Sequence, residues 1–599
     1  MGYETLSRMF LDRLESRKNE VKFRYKRDNS WVDMTCAQAG KIIRLLSAGL
    51  YSLGLEKGDK VSILSYTRVE WTLADAACIV GGFVTVPIYH SLLPDTVEYI
   101  LGDCKAKAIF VEDAKQMMKV NAIRESVPDL KWIVSMTPIE ADLMKPSDVI
   151  SFNELQKMGE EAQNRDPDFI DRVAGEIKPE DDLTVIYTSG TTGPPKGVVT
   201  TQENFWFMVN CSIRATEIRE GEIMLHFLPF AHTLGRIEQF ISFDANLVSA
   251  YAESMEAVGD NMAEVKPHIM VSVPRLYEKF YDRVMEMVEK GSPLKKKIFR
   301  FALETGIEVS RLRQQKKSIP FLLGVRFAVA KKLVFDKIKE RIGGRLRFFI
   351  SGGAPLAKEI AEFFHAMDVL ILEGYGLTEC STVASVNRLD NFKFGTVGLP
   401  LPDVQIKIVE DGEILIGGKN IFKEYLNDPG GTRNAKTEDG WLKTGDIGEI
   451  DEDGFLTITD RKKDILVTAS GKNIPPANIE NLLKMDNFVS QSFIYGDRKK
   501  FLVALMTLNR EEIEAWAREQ GIQYDSYEDL ATGREVNDLI QKSVDKVNAK
   551  LASFETVKRF LILPDDFSQE TGELTPTLKV KRKVVVEKYG RLLDSLYED

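Results

Sequence analysis

A series of compact apolar runs constrains this chain more than any other feature. LTVIYTS (183–189), IMLHFLP (223–229), HIMVSVP (268–274), LRFFISG (346–352) and DVLILEGYG (368–376) each stop at Gly, Pro, Ser or Thr. Their β-branched and aromatic content reads as buried strands, and each strand delivers a loop. Upstream, KVSILSY and AKAIFVE repeat the pattern, after AGKIIRLLSAGLYSLGL, whose periodicity predicts an amphipathic helix. Strands alternating with helices predict an α/β fold, and in open α/β sheets ligands collect at the carboxyl ends of the strands.

The pattern changes near Pro402. VQIKIVEDGEILIGG and WLKTGDIGEIDEDGFLTITD read as short antiparallel strands joined by Asp-Gly turns, a small β subdomain. Asp460, Arg461, Lys462, Lys463 and Asp464 then form five consecutive charges, suited to a solvated boundary. Beyond them, ILVTASGKNIPPANIENLLK, SFIYGDRKKFLVALMTL and a long helical stretch from Arg510 to Leu551 predict a smaller α+β unit. With 599 residues, more than one hydrophobic core is expected. The expected division is a large N-terminal α/β region, 1–460, and a mobile C-terminal domain, 461–599.

Cys36, Cys78, Cys104, Cys211 and Cys380 form no C-x-x-C pair, which argues against a disulfide framework or structural zinc and for a reducing compartment. The N-terminal twenty residues carry charges throughout and do not read as a secretory signal. The run from Ala76 to Tyr89 is too short and too interrupted to span a bilayer. A cytoplasmic protein is therefore expected, and the net charge of −11 argues against nucleic acid as a partner.

The strongest local signal runs from Tyr187 to Gly197. It brings Thr188, Ser189, Gly190, Thr191, Thr192 and Lys196 together after a strand and before a helical pattern. Hydroxyls and unhindered amides in a small arc, with one mobile cation, suit the oxygens of a triphosphate. The spacing is not that of a Walker A loop. A polar turn with incidental hydroxyls is the alternative.

That loop resembles the signature loop of the adenylate-forming superfamily, which includes acyl-CoA synthetases, firefly-type luciferases and nonribosomal peptide adenylation domains. Glu373-Gly374-Tyr375-Gly376-Leu377-Thr378-Glu379, Thr444-Gly445-Asp446, Asp460 to Asp464 and Pro576-Thr577-Leu578-Lys579-Val580 follow in the family's order. The resemblance runs from about Tyr25 to the C-terminus. From Ser351 to Glu480, including GTVGLPLPDVQIKI and KEYLNDPGGT, the chain is most similar to AMP-forming long-chain fatty acyl-CoA synthetases.

The resemblance implies ATP, Mg²⁺ and coenzyme A: a carboxylate attacks the α-phosphate, pyrophosphate leaves, and coenzyme A then cleaves the acyl-adenylate. Thr378 is expected to hydrogen-bond the α-phosphate, and Glu379 to hold Mg²⁺. Asp446 can accept both hydroxyls of the ribose cis-diol, with Arg461 on the same sugar. Gly352, Gly353 and Ala354 would let a purine approach the backbone, with Tyr375 stacking on it. The flanking Glu373, Gly374 and Gly376 complete that nucleotide-binding motif. Lys579 resembles the lysine that bridges carboxylate and α-phosphate, although Leu578 stands where many relatives have Gly and Lys581 lies two positions on. Lys579 is favoured because the aliphatic Val580 follows it. His232, in Leu228-Pro229-Phe230-Ala231-His232, is expected beside the forming anhydride. Gly235-Arg236 departs from the Glu-Arg that long-chain members often carry there. Lys463 falls at the hinge position, and Gly471 on the face that would admit coenzyme A.

Two other readings stay open: an acyl-adenylate ligase serving a carrier protein, and a non-catalytic membrane protein for fatty-acid binding or uptake. The oligomeric state is not legible, a homodimer being one option. From Lys295 to Arg347 sixteen Lys or Arg face four Asp or Glu, a local +12 that leaves −23 for the remainder. Peripheral membrane contact, a core-facing helix with a solvated basic face, and attraction of coenzyme A phosphates all fit that stretch.

Overall fold

The computed structural model describes residues 3–139, 148–188, 194–469, 472–575 and 578–598. Two large sheets dominate. In the nine-stranded sheet, Leu370–Tyr375, Phe348–Ser351, Ile269–Ser272, Ile223–His226, Val248–Tyr251 and Val21–Arg27 lie parallel and adjacent. Four of the five opening motifs form these strands. The fifth, Asp182–Thr188, belongs to the eight-stranded sheet, beside Val84–Ile88, Lys60–Leu64, Ala108–Val111 and Trp132–Ser135.

The helices Val69–Val80 and Thr233–Asp244 are buried on nearly every side. Val69–Val80 is apolar almost throughout, as suits a helix covered on all sides, and its end together with the buried strand Val84–Ile88 makes the apolar run from Ala76 to Tyr89. The polar residues they carry pair inside the core. The Arg236 guanidinium donates to Asp75 Oδ1 at 2.9 Å and to Thr184 Oγ1 at 3.2 Å, and Gln239 donates to Asp75 Oδ2 at 2.8 Å. Arg236 thus ties the buried helices to the second sheet. Removing one partner would leave the other charge buried and uncompensated.

From Gln405 to Arg461 a four-stranded antiparallel sheet forms the expected β subdomain, with Asp-Gly turns at Gly412 and Gly454 in the left-handed region. Beyond it, Val489–Tyr495, Leu502–Leu508 and Val557–Leu563 form a three-stranded sheet. Its two hydrophobic cores consist only of residues from Leu466 onward.

Two expectations change. The stretch from Arg510 to Leu551 is three helices, Arg510–Gln520, Tyr527–Ala531 and Arg534–Asn548. Gly521, at φ 68°, ends the first by a left-handed cap, and Gly533 sits immediately before the third. The phosphate-loop segment is followed by a strand rather than directly by a helix. Lys196–Thr201 pairs antiparallel with Asp182–Thr188, because its β-branched residues continue the sheet, and the helix Gln202–Thr216 starts only after it.

Candidate active site

The strand ends deliver the candidate residues as the α/β rule requires. Phe348–Ser351 leads into Gly352, Gly353 and Ala354, and its neighbour Leu370–Tyr375 carries Glu373, Gly374 and Tyr375. Two glycines are fixed by geometry. Gly353 has φ 81°, and a Cβ on Gly376 would lie 1.9 Å from the Thr382 carbonyl oxygen. No side chain fits at Gly376, so the backbone after Tyr375 folds tightly against the segment that follows it. Thr378 and Glu379 then sit half-buried in a short 3₁₀ turn.

Glu373 is buried, and its Oε1 accepts the Leu356 amide at 3.0 Å. Burial raises its pKa to about 7.

Asp446 joins two parts of the chain. Its Oδ2 accepts the Tyr375 hydroxyl at 2.6 Å and its Oδ1 accepts Arg461 Nε at 3.1 Å. The aspartate is itself buried in the antiparallel sheet, with its amide donating to Thr444 Oγ1 at 3.0 Å. A carboxylate presenting both oxygens to donors in this way can accept two vicinal hydroxyls.

Lys196 and Glu379, far apart in sequence, meet around Tyr425. The strand Glu424–Tyr425 pairs with Val198 and Val199 next to Lys196. The Lys196 ammonium lies 4.9 Å from the Tyr425 ring centroid and 2.9 Å from Asp428 Oδ2. On its other side the Tyr425 hydroxyl donates to Glu379 Oε1 at 2.8 Å. Burial and the neighbouring Glu379 carboxylate push the Tyr425 phenol up, so it stays a donor. Tyr425 and Asp428 escaped the sequence reading. Their signal was present in KEYLNDPGGT, used there only as a mark of resemblance.

His232 and Lys579 complete the cleft. His232 Nδ1 accepts the Leu234 amide at 3.1 Å, capping the helix Thr233–Asp244. Burial, with a smaller push from the Lys579 ammonium, lowers its pKa to about 4, so the imidazole is neutral at physiological pH. Lys579 is exposed as a residue. Desolvation and the Arg461 guanidinium lower its pKa, while Asp446 opposes them. Leu578 precedes Lys579 at φ 60°.

Thr188 is half-buried, pairing with Lys196 across the strands. Ser189, Gly190, Thr191, Thr192 and Gly471 lie outside the described residues. Lys463 is exposed in the turn after the strand Leu456–Arg461, where the Asp464 amide donates back to the Arg461 carbonyl at 2.8 Å. Among the described residues, no three His, Cys, Asp or Glu side chains cluster to hold a metal. The single carboxylate of Glu379, held by the Tyr425 hydroxyl, fits Mg²⁺ arriving on a nucleotide, since that ion takes one or two carboxylates and fills its shell with water and phosphate oxygens.

A strand-end site in which Asp446 joins Tyr375 to Arg461 and Tyr425 joins Lys196 to Glu379 fits a nucleotide-dependent α/β enzyme. The AMP-binding enzyme family matches residues 10–426, and the AMP-binding enzyme C-terminal domain matches 463–599; the chain belongs to this family. It is 37% identical over 573 residues to the long-chain-fatty-acid–CoA ligase FadD15 of Mycobacterium tuberculosis, covering 95% of this chain and 93% of that protein. It is 31% identical to the long-chain-fatty-acid–CoA ligase ACSBG2 of Xenopus laevis, covering 99% of this chain and 84% of the relative. Among solved structures, the anthranilate–CoA ligase AuaEII with anthranoyl-AMP superposes with a TM-score of 0.72 at 19% identity, covering 99% of this chain and 98% of that one. That likeness is one of fold.

Proposed function

We propose that the chain is a long-chain fatty acid–CoA ligase. ATP and a fatty acid give an acyl-adenylate and pyrophosphate, and coenzyme A then gives acyl-CoA and AMP. The observation that carries this reading is the pair of contacts on Asp446, from Tyr375 Oη at 2.6 Å and Arg461 Nε at 3.1 Å, with Lys196 and Glu379 sharing Tyr425 in the same chain. Adenylation concentrates negative charge on phosphoryl oxygens, and fixed cations aimed there favour its transition state. The names of the two curated relatives support a long-chain substrate.

In this reading Lys579 bridges the carboxylate and the α-phosphate, Thr378 donates to that phosphate, and Asp446 holds the ribose with Arg461. Gly352 to Ala354 and Tyr375 receive the adenine. Neutral His232 lines the pocket beside the reacting carboxylate without competing as a cation. Glu379, oriented by Tyr425, would hold Mg²⁺, which when bound neutralises triphosphate oxygens. The separate cores after Leu466 support a C-terminal domain beginning near Arg461 that turns about Lys463 between adenylation and thiolysis. A cytoplasmic location with peripheral membrane contact belongs to this reading. No helix of the described residues is long and apolar enough to cross a membrane.

The test follows pyrophosphate and acyl-CoA across straight-chain acids from acetate to stearate, with and without coenzyme A. Both products peaking with long chains is the expected result. Pyrophosphate without acyl-CoA would assign another acceptor, and silence on every acid would leave a non-catalytic binder. Lys579→Ala is expected to abolish pyrophosphate release while retaining thiolysis of supplied acyl-adenylate. Full adenylation by that variant would overturn the role given to Lys579.

A further inference from the structure

The helix Phe321–Ala330 has more apolar surface than its neighbours cover. Leu323 and Ala330 are buried and Phe327 is half-buried, so one face packs inward. Phe321 and Leu322 nevertheless stand 83% and 76% exposed, and Val325, Val329 and, in the following turn, Leu333 are each close to half exposed. The spacing 322, 325, 329, 333 puts four of these on one helical face. A helix that is apolar all round belongs in an apolar surrounding, and this one faces solvent.

The exposed charges around it are mostly positive, with Glu304 and Glu308 on the neighbouring helix and Glu308 4.0 Å from Arg326. Arg326 projects from the helix, its guanidinium 5.4 Å over the ring of Phe301 on the helix Pro293–Gln314. That ring is partly exposed, so it extends the apolar surface to the neighbouring helix. Lys295, Lys297 and Arg300 are exposed near the start of that helix, and Lys332 and Lys337 just beyond Ala330. Lys331 and Lys339 are committed to Asp368, at 3.1 and 2.9 Å, and contribute less.

We propose that this face docks on an anionic lipid surface, the helix Phe321–Ala330 lying in the plane of the interface. Its uncovered side chains enter the acyl boundary and the surrounding lysines and arginines meet the headgroups. The exposed Lys295, Lys297, Arg300, Lys332 and Lys337, in a chain of net −11, favour a negatively charged partner. A second copy would bring two such basic surfaces together, which disfavours self-association here. At about 1.5 Å per residue, ten residues span about half of a bilayer core, so the helix lies on the membrane and does not cross it. The proposal stands independently of the chemistry assigned to the cleft. If that chemistry holds, the acid is collected where it partitions.

The experiment is co-sedimentation of the full chain with vesicles of equimolar phosphatidylglycerol and phosphatidylcholine, against phosphatidylcholine alone. Binding is expected to the anionic vesicles and to weaken with salt. Phe321→Ser with Leu322→Ser is expected to lower partitioning at least about tenfold, because two large side chains no longer enter the acyl region. Both residues are exposed, and activity on a short soluble acid checks that the fold is intact. Neutralising Lys295, Lys297 and Lys332 to Gln is expected to remove the preference for anionic vesicles. Unchanged partitioning in the double variant would overturn the proposal. So would a wild-type chain that ignores vesicles and shows a concentration-dependent increase in sedimenting mass abolished by the same substitutions, which would make the face an interface between copies.

Discussion

Asp446→Asn is the most direct perturbation of the nucleotide site, because it keeps the shape of the side chain and removes one acceptor and the charge. The two carboxylate oxygens accept Tyr375 Oη at 2.6 Å and Arg461 Nε at 3.1 Å. If ribose hydroxyls take those acceptor positions, asparagine loses one charge-assisted hydrogen bond, about 1.5–3 kcal/mol. ATP affinity should then fall about 10- to 150-fold. Arg461 also loses its partner, and the Lys579 ammonium loses the one neighbour that opposes its depressed pKa. A bare loss of affinity therefore does not identify the cause. The assay is calorimetric titration of wild type and variant with ATP, 2′-deoxy-ATP and 3′-deoxy-ATP, read as double-mutant cycles. Wild type should discriminate against at least one deoxynucleotide by the stated factor, and the variant should have lost most of that discrimination. Equal discrimination in both proteins would refute contact between Asp446 and the ribose, whatever the variant's absolute affinity.

Two more perturbations bear on the same cleft. Tyr425→Phe keeps the ring under Lys196 and deletes the 2.8 Å bond to Glu379; Mg²⁺-dependent enhancement of ATP binding, measured by calorimetry, should weaken about tenfold, and an unchanged enhancement would separate Tyr425 from the metal. Glu373 keeps its proton to about pH 7 when folded, against 4.5 as its ordinary value. The native state therefore binds the extra proton between those values, and the stability contributed by this residue falls as pH rises through that window and is flat above it. Glu373→Gln removes that fall: the melting temperature of the variant relative to wild type should rise from pH 4.5 to 7, and parallel profiles would refute the assignment.

The strands were legible because burial on both faces demands unbroken apolar runs, and a run of four to seven residues ending at Gly or Pro has few alternatives. Of the five consecutive charges at 460–464, Asp460 is buried and the other four stay at least partly exposed, and the hydrophobic cores from Leu466 onward hold none of the residues before it. Less was visible where pairing partners are distant. Nothing local in Lys196–Thr201 reveals that it continues the sheet by antiparallel pairing, nor that Glu424–Tyr425 closes its edge and so brings Tyr425 between Lys196 and Glu379. The basic stretch was ambiguous because periodicity identifies an apolar face without revealing whether anything covers it.

Leu578 shows how a departure in residue type can conceal an unchanged backbone requirement. Many relatives place Gly before the lysine, and the absence of Gly here weakens the match when only residue identities are compared. The structure gives Leu578 φ 60°, in the left-handed region that glycine enters freely and a leucine enters at about 1–2 kcal/mol. Its side chain is 55% exposed, so no packing contact of comparable extent repays that cost. The Leu578 amide donates to the Thr575 carbonyl at 2.8 Å, and the Lys579 amide donates to Thr575 Oγ1 at 3.0 Å, so the surrounding turn holds the conformation. Leu578 thus occupies a backbone conformation that a glycine enters freely, so the change of residue type does not by itself argue against Lys579.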